Sequence, residues 1–191
     1  MEVQNIVGLH SLWLPILVSS AFVFILSSII HMMSPWHKSD YPMVENQDKV
    51  MDTLRSLNMS PGDYMVPRPK DMSDMKSAEF KAKAEKGPRV VFTILPTGPV
   101  SMSGNLIQWF LYTVVVGIFA GYVAGRALGS GAHYLQVFRL VGTTAFCAYS
   151  LALAQYSIWY GRSWMTTFKS MVDGLIYAAF TAGVFGWLWP R

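Results

Sequence analysis

The most unusual group of potential ligands lies between residues 31 and 41, which read HMMSPWHKSDY. This string combines two imidazoles, His31 and His37, with the carboxylate of Asp40 and two thioethers. Histidine with aspartate can bind zinc, and histidine with methionine can bind copper. Pro35 interrupts any single helical face, however, and H-x5-H-x2-D is not a recognised ligand spacing. His31, His37 and Asp40 are therefore weak candidates for a metal site.

The same string also fits a belt at the surface of a membrane. Trp36 and Tyr41 would lie at headgroup depth, and His37 and Lys38 would face anionic lipid. We prefer this interpretation, and we therefore expect no metal or other cofactor. A metal- or redox-cofactor-binding protein that uses His31 and His37 stays open as a lesser alternative.

Asp173 is the only carboxylate within the long apolar stretches of the chain. A charged group at membrane depth needs a partner, and Lys169 lies one helical step of four residues before it. Arg162 is a second candidate partner, and Arg139 is a further cation inside an apolar stretch. We predict a structural ion pair for Asp173; the alternative is a proton relay or a substrate contact.

Small residues recur every fourth position in two apolar stretches, which lets helix backbones approach closely in lipid. These positions are Gly117, Gly121 and Gly125, and then Ala178, Ala182 and Gly186. The pattern predicts packing, either within a bundle of this chain or against a partner subunit.

Other catalytic and cofactor signatures are missing from the sequence. Cys147 is the single cysteine, and neither a metalloprotease, a serine hydrolase nor a nucleotide-binding motif occurs. His10 and His133 are too close to the ends of their stretches for a bis-histidine haem. No basic patch predicts nucleic-acid binding.

Charge is concentrated in one part of the 191-residue chain. Residues 38–89 hold 10 of the 15 Lys and Arg residues and 9 of the 11 Asp and Glu residues. A soluble globule needs charge over its whole surface, so this distribution indicates a membrane protein with one water-exposed segment.

Four apolar stretches reach the length of about 20 residues that a helix needs to cross a bilayer. They span residues 9–33, 106–128, 134–159 and 168–189. The first is too long for a signal peptide and has no Lys or Arg before it, so we interpret it as an uncleaved anchor. The expected fold is an all-α membrane protein with four transmembrane helices.

A small α+β cap is expected between the first and second transmembrane helices, over residues 34–105. The sequence predicts helices at 46–58 and 77–86 and strands at 63–67 and 89–95. Lys38, Arg162 and Lys169 flank the same side of the bilayer. By the positive-inside rule, the 34–105 loop is cytoplasmic and both termini lie outside.

Several strings together resemble a family of uncharacterised bacterial four-span integral membrane proteins of about this length. They are PWHKSDY (35–41), LNMSPGDYMVP (57–67), GPRVVFTILPTGP (87–99) and TTFKSMVDGLIYAAFTAGVFGWLWPR (166–191). The resemblance covers essentially the whole chain. It implies a protein of the bacterial inner (plasma) membrane, but no activity, since that family has none established.

These observations lead us to expect a non-enzymatic membrane protein, an accessory or structural subunit of a larger membrane complex. Its partners would be the lipid bilayer and other membrane subunits that contact the Gly and Ala faces. The alternative from a different class is a small transporter or proton-linked channel that uses Asp173.

Overall fold

The computed structural model describes residues 6–191 of this chain. The described residues are mostly helical, with one small two-stranded sheet. They divide into two compact units, one built from the chain up to Pro42 together with Ser101–Arg191, and the other from Met43–Val100. The first unit contains all the long apolar helices.

Three helical stretches are long and apolar enough to cross a membrane, namely Trp13–Met33, Ser103–Ala127 and Tyr134–Tyr160. The first comprises α1 (Trp13–Ser28) and a π-helical turn at Ile29–Met33, and the second is α4 (Ser103–Ala127). The third comprises α5 (Tyr134–Tyr149), a 3₁₀ turn at Leu151–Leu153 and α6 (Ala154–Tyr160). These stretches correspond to the first three predicted spans.

The fourth apolar stretch forms helix α7 (Trp164–Trp187), but α7 is not among the helices apolar enough to be assigned as a span by composition. Much of the surface of α7 is covered by the rest of the protein. Eleven of its 24 residues are buried within the protein, and they include Lys169, Asp173 and three threonines. A helix that contacts other helices on much of its surface does not need to be apolar all round.

The helices of the first unit pack through small residues. A Cβ atom added at Gly117 would lie 3.3 Å from the Ile16 side chain of α1, and one at Gly142 of α5 would lie 3.2 Å from the Ala182 Cβ of α7. Gly186 lies directly against the Tyr134 ring. The helices therefore approach closely because these positions lack larger side chains.

The predicted continuous helix at 134–159 is interrupted at Ser150. The Ser150 hydroxyl donates a hydrogen bond of 3.1 Å to the Met171 carbonyl of α7, and it lies against Gly174. α5 ends one residue before Ser150, so the interruption coincides with this contact with α7, which the local sequence does not reveal.

Backbone contacts join three segments at one end of the first unit. Val7 N donates to the Gly125 carbonyl (3.1 Å), and Gly131 N donates to the Pro190 carbonyl (2.8 Å). The Trp189 indole adds a bond of 3.0 Å to the Gly129 carbonyl. The segment before α1, the α4–α5 turn and the end of the chain therefore lie together.

The second unit contains α2 (Gln47–Ser56), β1 (Gly62–Val66), α3 (Ala78–Lys86) and β2 (Val90–Ile94), close to the predicted elements. The strands pair antiparallel, with Met65 opposite Val91, and the rings of Tyr64 and Phe92 stack with centroids 5.7 Å apart. Of the residues in the expected 34–105 cap, those at 34–42 and 101–105 belong to the first compact unit.

Candidate functional site

A cluster of charged and polar side chains lies where the chain leaves the first apolar helix. The π-helical turn at Ile29–Met33 is followed by a 3₁₀ turn, Pro35–His37, whose first residue is a proline. Ser34 caps this turn, because its hydroxyl accepts a bond of 3.1 Å from Trp36 N. The two turns bring the His31 and His37 rings into a stack with centroids 4.4 Å apart.

His37 lies between two carboxylates. Its Nδ1 is 2.6 Å from Asp40 Oδ2, and its Nε2 is 2.8 Å from Asp173 Oδ2. The carboxylates are nearly buried, with 6% and 5% of their side chains exposed, and the imidazole is 15% exposed. An ionised carboxylate can only accept hydrogen bonds, so a ring N–H of His37 is the donor to such a carboxylate in these contacts.

Lys169 completes the cluster from the α7 side. Its buried ammonium donates to Asp40 Oδ1 (2.8 Å), to the Trp36 carbonyl (2.8 Å) and to the Ser39 hydroxyl (2.9 Å). Three acceptors match the three N–H donors of an ammonium group. The amine is also 5.6 Å from the centre of the Trp36 ring, within cation–π range. Lys169 is therefore fully paired.

The environment of Asp40 sets its protonation. Burial alone raises the pKa of this carboxyl, but hydrogen bonds and charge from His37 and Lys169 outweigh that effect. The net result is a pKa below the ordinary value of 3.8. Asp40 is thus ionised at neutral pH and acts as an acceptor for both neighbours.

The side chains of His31 and Tyr177 extend the cluster further. The Tyr177 hydroxyl lies 3.3 Å from His31 Nε2, and Tyr177 is one helical turn after Asp173 on the same face of α7. His31 is exposed and Asp173 is buried, so the group runs from the surface into the protein. One nitrogen from each histidine and one Asp173 oxygen lie within 4.8 Å of one another.

The partners of Asp173 and Lys169 differ from those that sequence spacing suggests. Asp173 contacts His37, and Lys169 contacts Asp40, although the two α7 residues are four positions apart. The reason is that both side chains point to the 36–40 segment, which supplies closer partners of opposite charge than either gives the other. Only the fold brings this segment to α7.

The two arginines considered as partners for Asp173 lie elsewhere. Arg139 is exposed beside an apolar groove that Phe138 and Ala178 help to line. Arg162 is partly buried just before α7. Neither forms an ion pair with another residue in the described 6–191 range.

The small-residue positions lie inside the first unit. Gly121 faces Phe185 and Leu12, and Gly125 lies against the Val7 backbone. Ala178 and Ala182 are buried, and Gly186 is covered by Tyr134. These faces are therefore occupied by helices of the same chain.

The two histidines considered for haem are not brought together with His31 and His37. His133 caps α5, where its Nδ1 accepts a bond of 3.2 Å from Leu135 N. His10 is exposed in the 3₁₀ turn before α1. The sequence analysis did not predict Ser39 and Tyr177 as members of the cluster. Tyr177 lies four residues after Asp173, and this spacing, which places both on one helix face, was a signal in the sequence.

Comparison with known proteins gives no identification. No protein-family model matches this chain, and neither a curated protein nor a solved structure is significantly similar to it. The helical fold and the cluster therefore carry the functional argument by themselves.

Proposed function

We propose that this chain is an integral membrane protein with four transmembrane helices, of which α7 is the fourth. A helix of 24 residues is about 36 Å long, enough to cross the hydrocarbon core of a bilayer. One end of α7 carries Lys169 of the cluster, and Trp189 just beyond the other end bonds to Gly129 in the α4–α5 turn. These contacts support a path from one end of the bundle to the other.

The proposed location is the bacterial inner membrane, with residues 34–105 cytoplasmic and both termini outside. Two observations support this arrangement. Lys38, Arg162 and Lys169 favour the cytoplasm for the cluster end. Ile6 and Pro190 both contact the Gly129–Gly131 turn, which is consistent with both ends of the chain lying on the opposite side.

Within that membrane, the role that the geometry supports best is a non-enzymatic accessory or structural subunit of a larger complex. The observation that carries this proposal is that no residue between 43 and 100 is buried. A folded segment of this size normally needs a buried core or an external staple for stability. A partner protein that covers its apolar side chains would supply what the chain itself lacks.

The β1–β2 ribbon is the apolar part of this unit that a partner would cover. Met65 pairs with Val91 on one face of the ribbon and Val66 pairs with Val90 on the other face, and all four side chains are between 42% and 49% exposed. Exposed apolar patches on a water-facing segment are typical of interaction sites. We propose that the water-exposed part of another membrane subunit packs on this ribbon.

The interior of the first unit supports a structural rather than a catalytic role. Among the described residues, every buried side-chain nitrogen or oxygen has a hydrogen-bond partner. The Ser157 hydroxyl, for example, donates to Thr167 at 2.8 Å. Hydrogen bonds of this kind between buried polar groups stabilise the packing of the helices.

Extraction of the affinity-tagged full chain from native membranes in mild detergent tests this proposal. We expect a second protein species in stoichiometric amounts, identified by mass analysis of the intact complex. Val91→Lys places a charge on the exposed ribbon and should release the partner while the bundle stays folded. Ala82→Lys, at an exposed position of α3, is the matched control and should retain it.

Recovery of the wild-type chain only as a monomer or as a homo-oligomer would contradict the subunit role. Equal retention of the partner by Val91→Lys and Ala82→Lys would contradict the ribbon as its contact surface.

A further inference from the structure

We propose that His31, His37 and Asp173 form a binding site for a divalent transition-metal ion, with Zn²⁺ as the best match. The three residues come from two separate parts of the chain, and one potential ligand atom from each lies within 4.8 Å of the others. His37 Nε2 and Asp173 Oδ2 are already 2.8 Å apart. This site goes beyond the proposed subunit role and does not depend on it.

The distances fit a tetrahedral ion after a small rotation of side chains. Zinc bonds to histidine nitrogen and carboxylate oxygen at about 2.0–2.2 Å, so two ligands at a tetrahedral angle lie about 3.4 Å apart. The His37–Asp173 pair must open slightly, and no other pair needs to close by more than about 1.4 Å, the difference between the 4.8 Å limit and that value. His31 is exposed, so its ring has room to make this adjustment.

Asp40 occupies the position of an outer carboxylate that orients a metal-bound histidine. Metal-binding imidazoles commonly donate their second ring N–H to a carboxylate, which fixes the tautomer and the direction of the ring. Asp40 Oδ2 lies 2.6 Å from His37 Nδ1, so Nε2 is the nitrogen directed to Asp173. Lys169 in turn fixes Asp40 through its other oxygen, at 2.8 Å.

The charges in the cluster also favour a cation. Asp40 and Asp173 carry two negative charges, and Lys169 supplies one positive charge. One formal negative charge remains, and a bound cation would balance it. A divalent ion at the three ligands would displace the hydrogen shared by His37 Nε2 and Asp173 Oδ2, which would leave to solvent as a proton.

The ligand types select the class of metal. Two imidazoles and one carboxylate suit zinc and its neighbours, whereas calcium takes six to eight oxygen ligands and magnesium prefers oxygen as well. Three protein ligands leave a fourth tetrahedral position for water.

Titration of the purified, chelator-treated full chain in detergent with Zn²⁺, in competition with a chromophoric chelator, tests the site. We expect one ion per chain and an increase in the melting temperature on binding. His31→Gln should lower the affinity at least about tenfold, and Asp40→Asn should lower it about 10- to 100-fold, as expected for an outer-sphere partner. His10→Gln removes an exposed histidine outside the cluster and should leave the affinity unchanged.

His31 is exposed, so we expect its substitution to be tolerated, and a melting curve of metal-free His31→Gln checks this even if variants of buried Asp173 do not fold. Uptake of less than one ion per wild-type chain would overturn the site. The same conclusion would follow if His31→Gln and His10→Gln bound Zn²⁺ as tightly as the wild type.

Discussion

At the scale of single residues, the decisive feature is a chain of contacts that links Asp173 to His37, His37 to Asp40, and Asp40 to Lys169. Each charged group would be costly to bury alone, and each has a partner of opposite charge or a hydrogen bond. The contacts join the segment after the first apolar helix to α7. Loss of one partner should therefore weaken this junction.

The Lys169–Asp40 pair gives the first prediction at this scale. Lys169→Met leaves the Asp40 carboxylate with one partner fewer, and breaking a buried pair costs about 3–5 kcal/mol. Asp40→Asn combined with Lys169→Met should recover part of this loss, because the two side chains are in direct contact. Thermal unfolding of the single and double variants in detergent measures the coupling.

The control for these Lys169 and Asp40 variants is the exposed ion pair of Lys83 and Glu79 on α3, whose side chains are 63% and 78% exposed. Lys83→Met should change stability by less than about 1 kcal/mol, since water screens such pairs. Equal effects of Lys169→Met and Lys83→Met would show that the cluster does not hold the fold together.

At the scale of elements, the helices of the first unit are held by close backbone approach. Gly121 of α4 meets Leu12, directly before α1, and Phe185 of α7, and both of these side chains are fully buried. Leu12 and Phe185 belong to one apolar core cluster. A larger side chain at this position has nowhere to go without moving a helix.

Gly121→Leu is accordingly expected to destabilise the protein. A Cβ atom at this position would lie 3.1 Å from Phe185 and 3.4 Å from Leu12, and the remaining atoms of leucine would overlap with them. Overpacking of a core typically costs about 1–3 kcal/mol. Melting temperatures in detergent should fall for Gly121→Leu but not for Gly104→Leu, which lies in the first turn of the same helix with no neighbour within 4 Å of its added Cβ. Identical melting profiles would place the Gly121 face outside the packed interior.

Local sequence patterns account for much of the element structure. Ser77 and Gly87 set the limits of α3, since the Ser77 hydroxyl accepts a bond of 3.0 Å from Phe80 N and Gly87 adopts a positive φ of 58°. β2 lies within the predicted β-branched run at 89–95. These features depend on neighbours in the chain, so a sequence can predict them.

Contacts between distant segments were not predictable in the same way. The break of the third stretch at Ser150 coincides with a contact to the Met171 carbonyl, 21 residues away. The pairing of Asp173 with His37 depends on a contact across 136 positions. The sequence predicted Lys169 as the partner of Asp173 because the two residues lie on one helix. Only within one helix does the number of intervening residues give the distance between two side chains.

At the scale of the whole molecule, the first unit has two chemically different ends. One end carries the cluster of His37, Asp40, Lys169 and Asp173. At the other end, the α4–α5 turn joins the beginning and the end of the described chain through backbone hydrogen bonds. The four crossings that we propose would account for this separation, with α7 as the last crossing.

Labelling of single cysteines with an impermeant reagent in intact cells, in a Cys147→Ser background, tests the four crossings most directly. We predict that Ser130→Cys and Arg191→Cys react in intact cells, because both positions are exposed at the end assigned to the outside. Ser73→Cys, in the exposed 43–100 unit, should react only after the membrane is opened. The contradicting result is that Arg191→Cys and Ser73→Cys react on one side of the membrane while Ser130→Cys reacts on the other. That result would show that α7 does not cross the membrane.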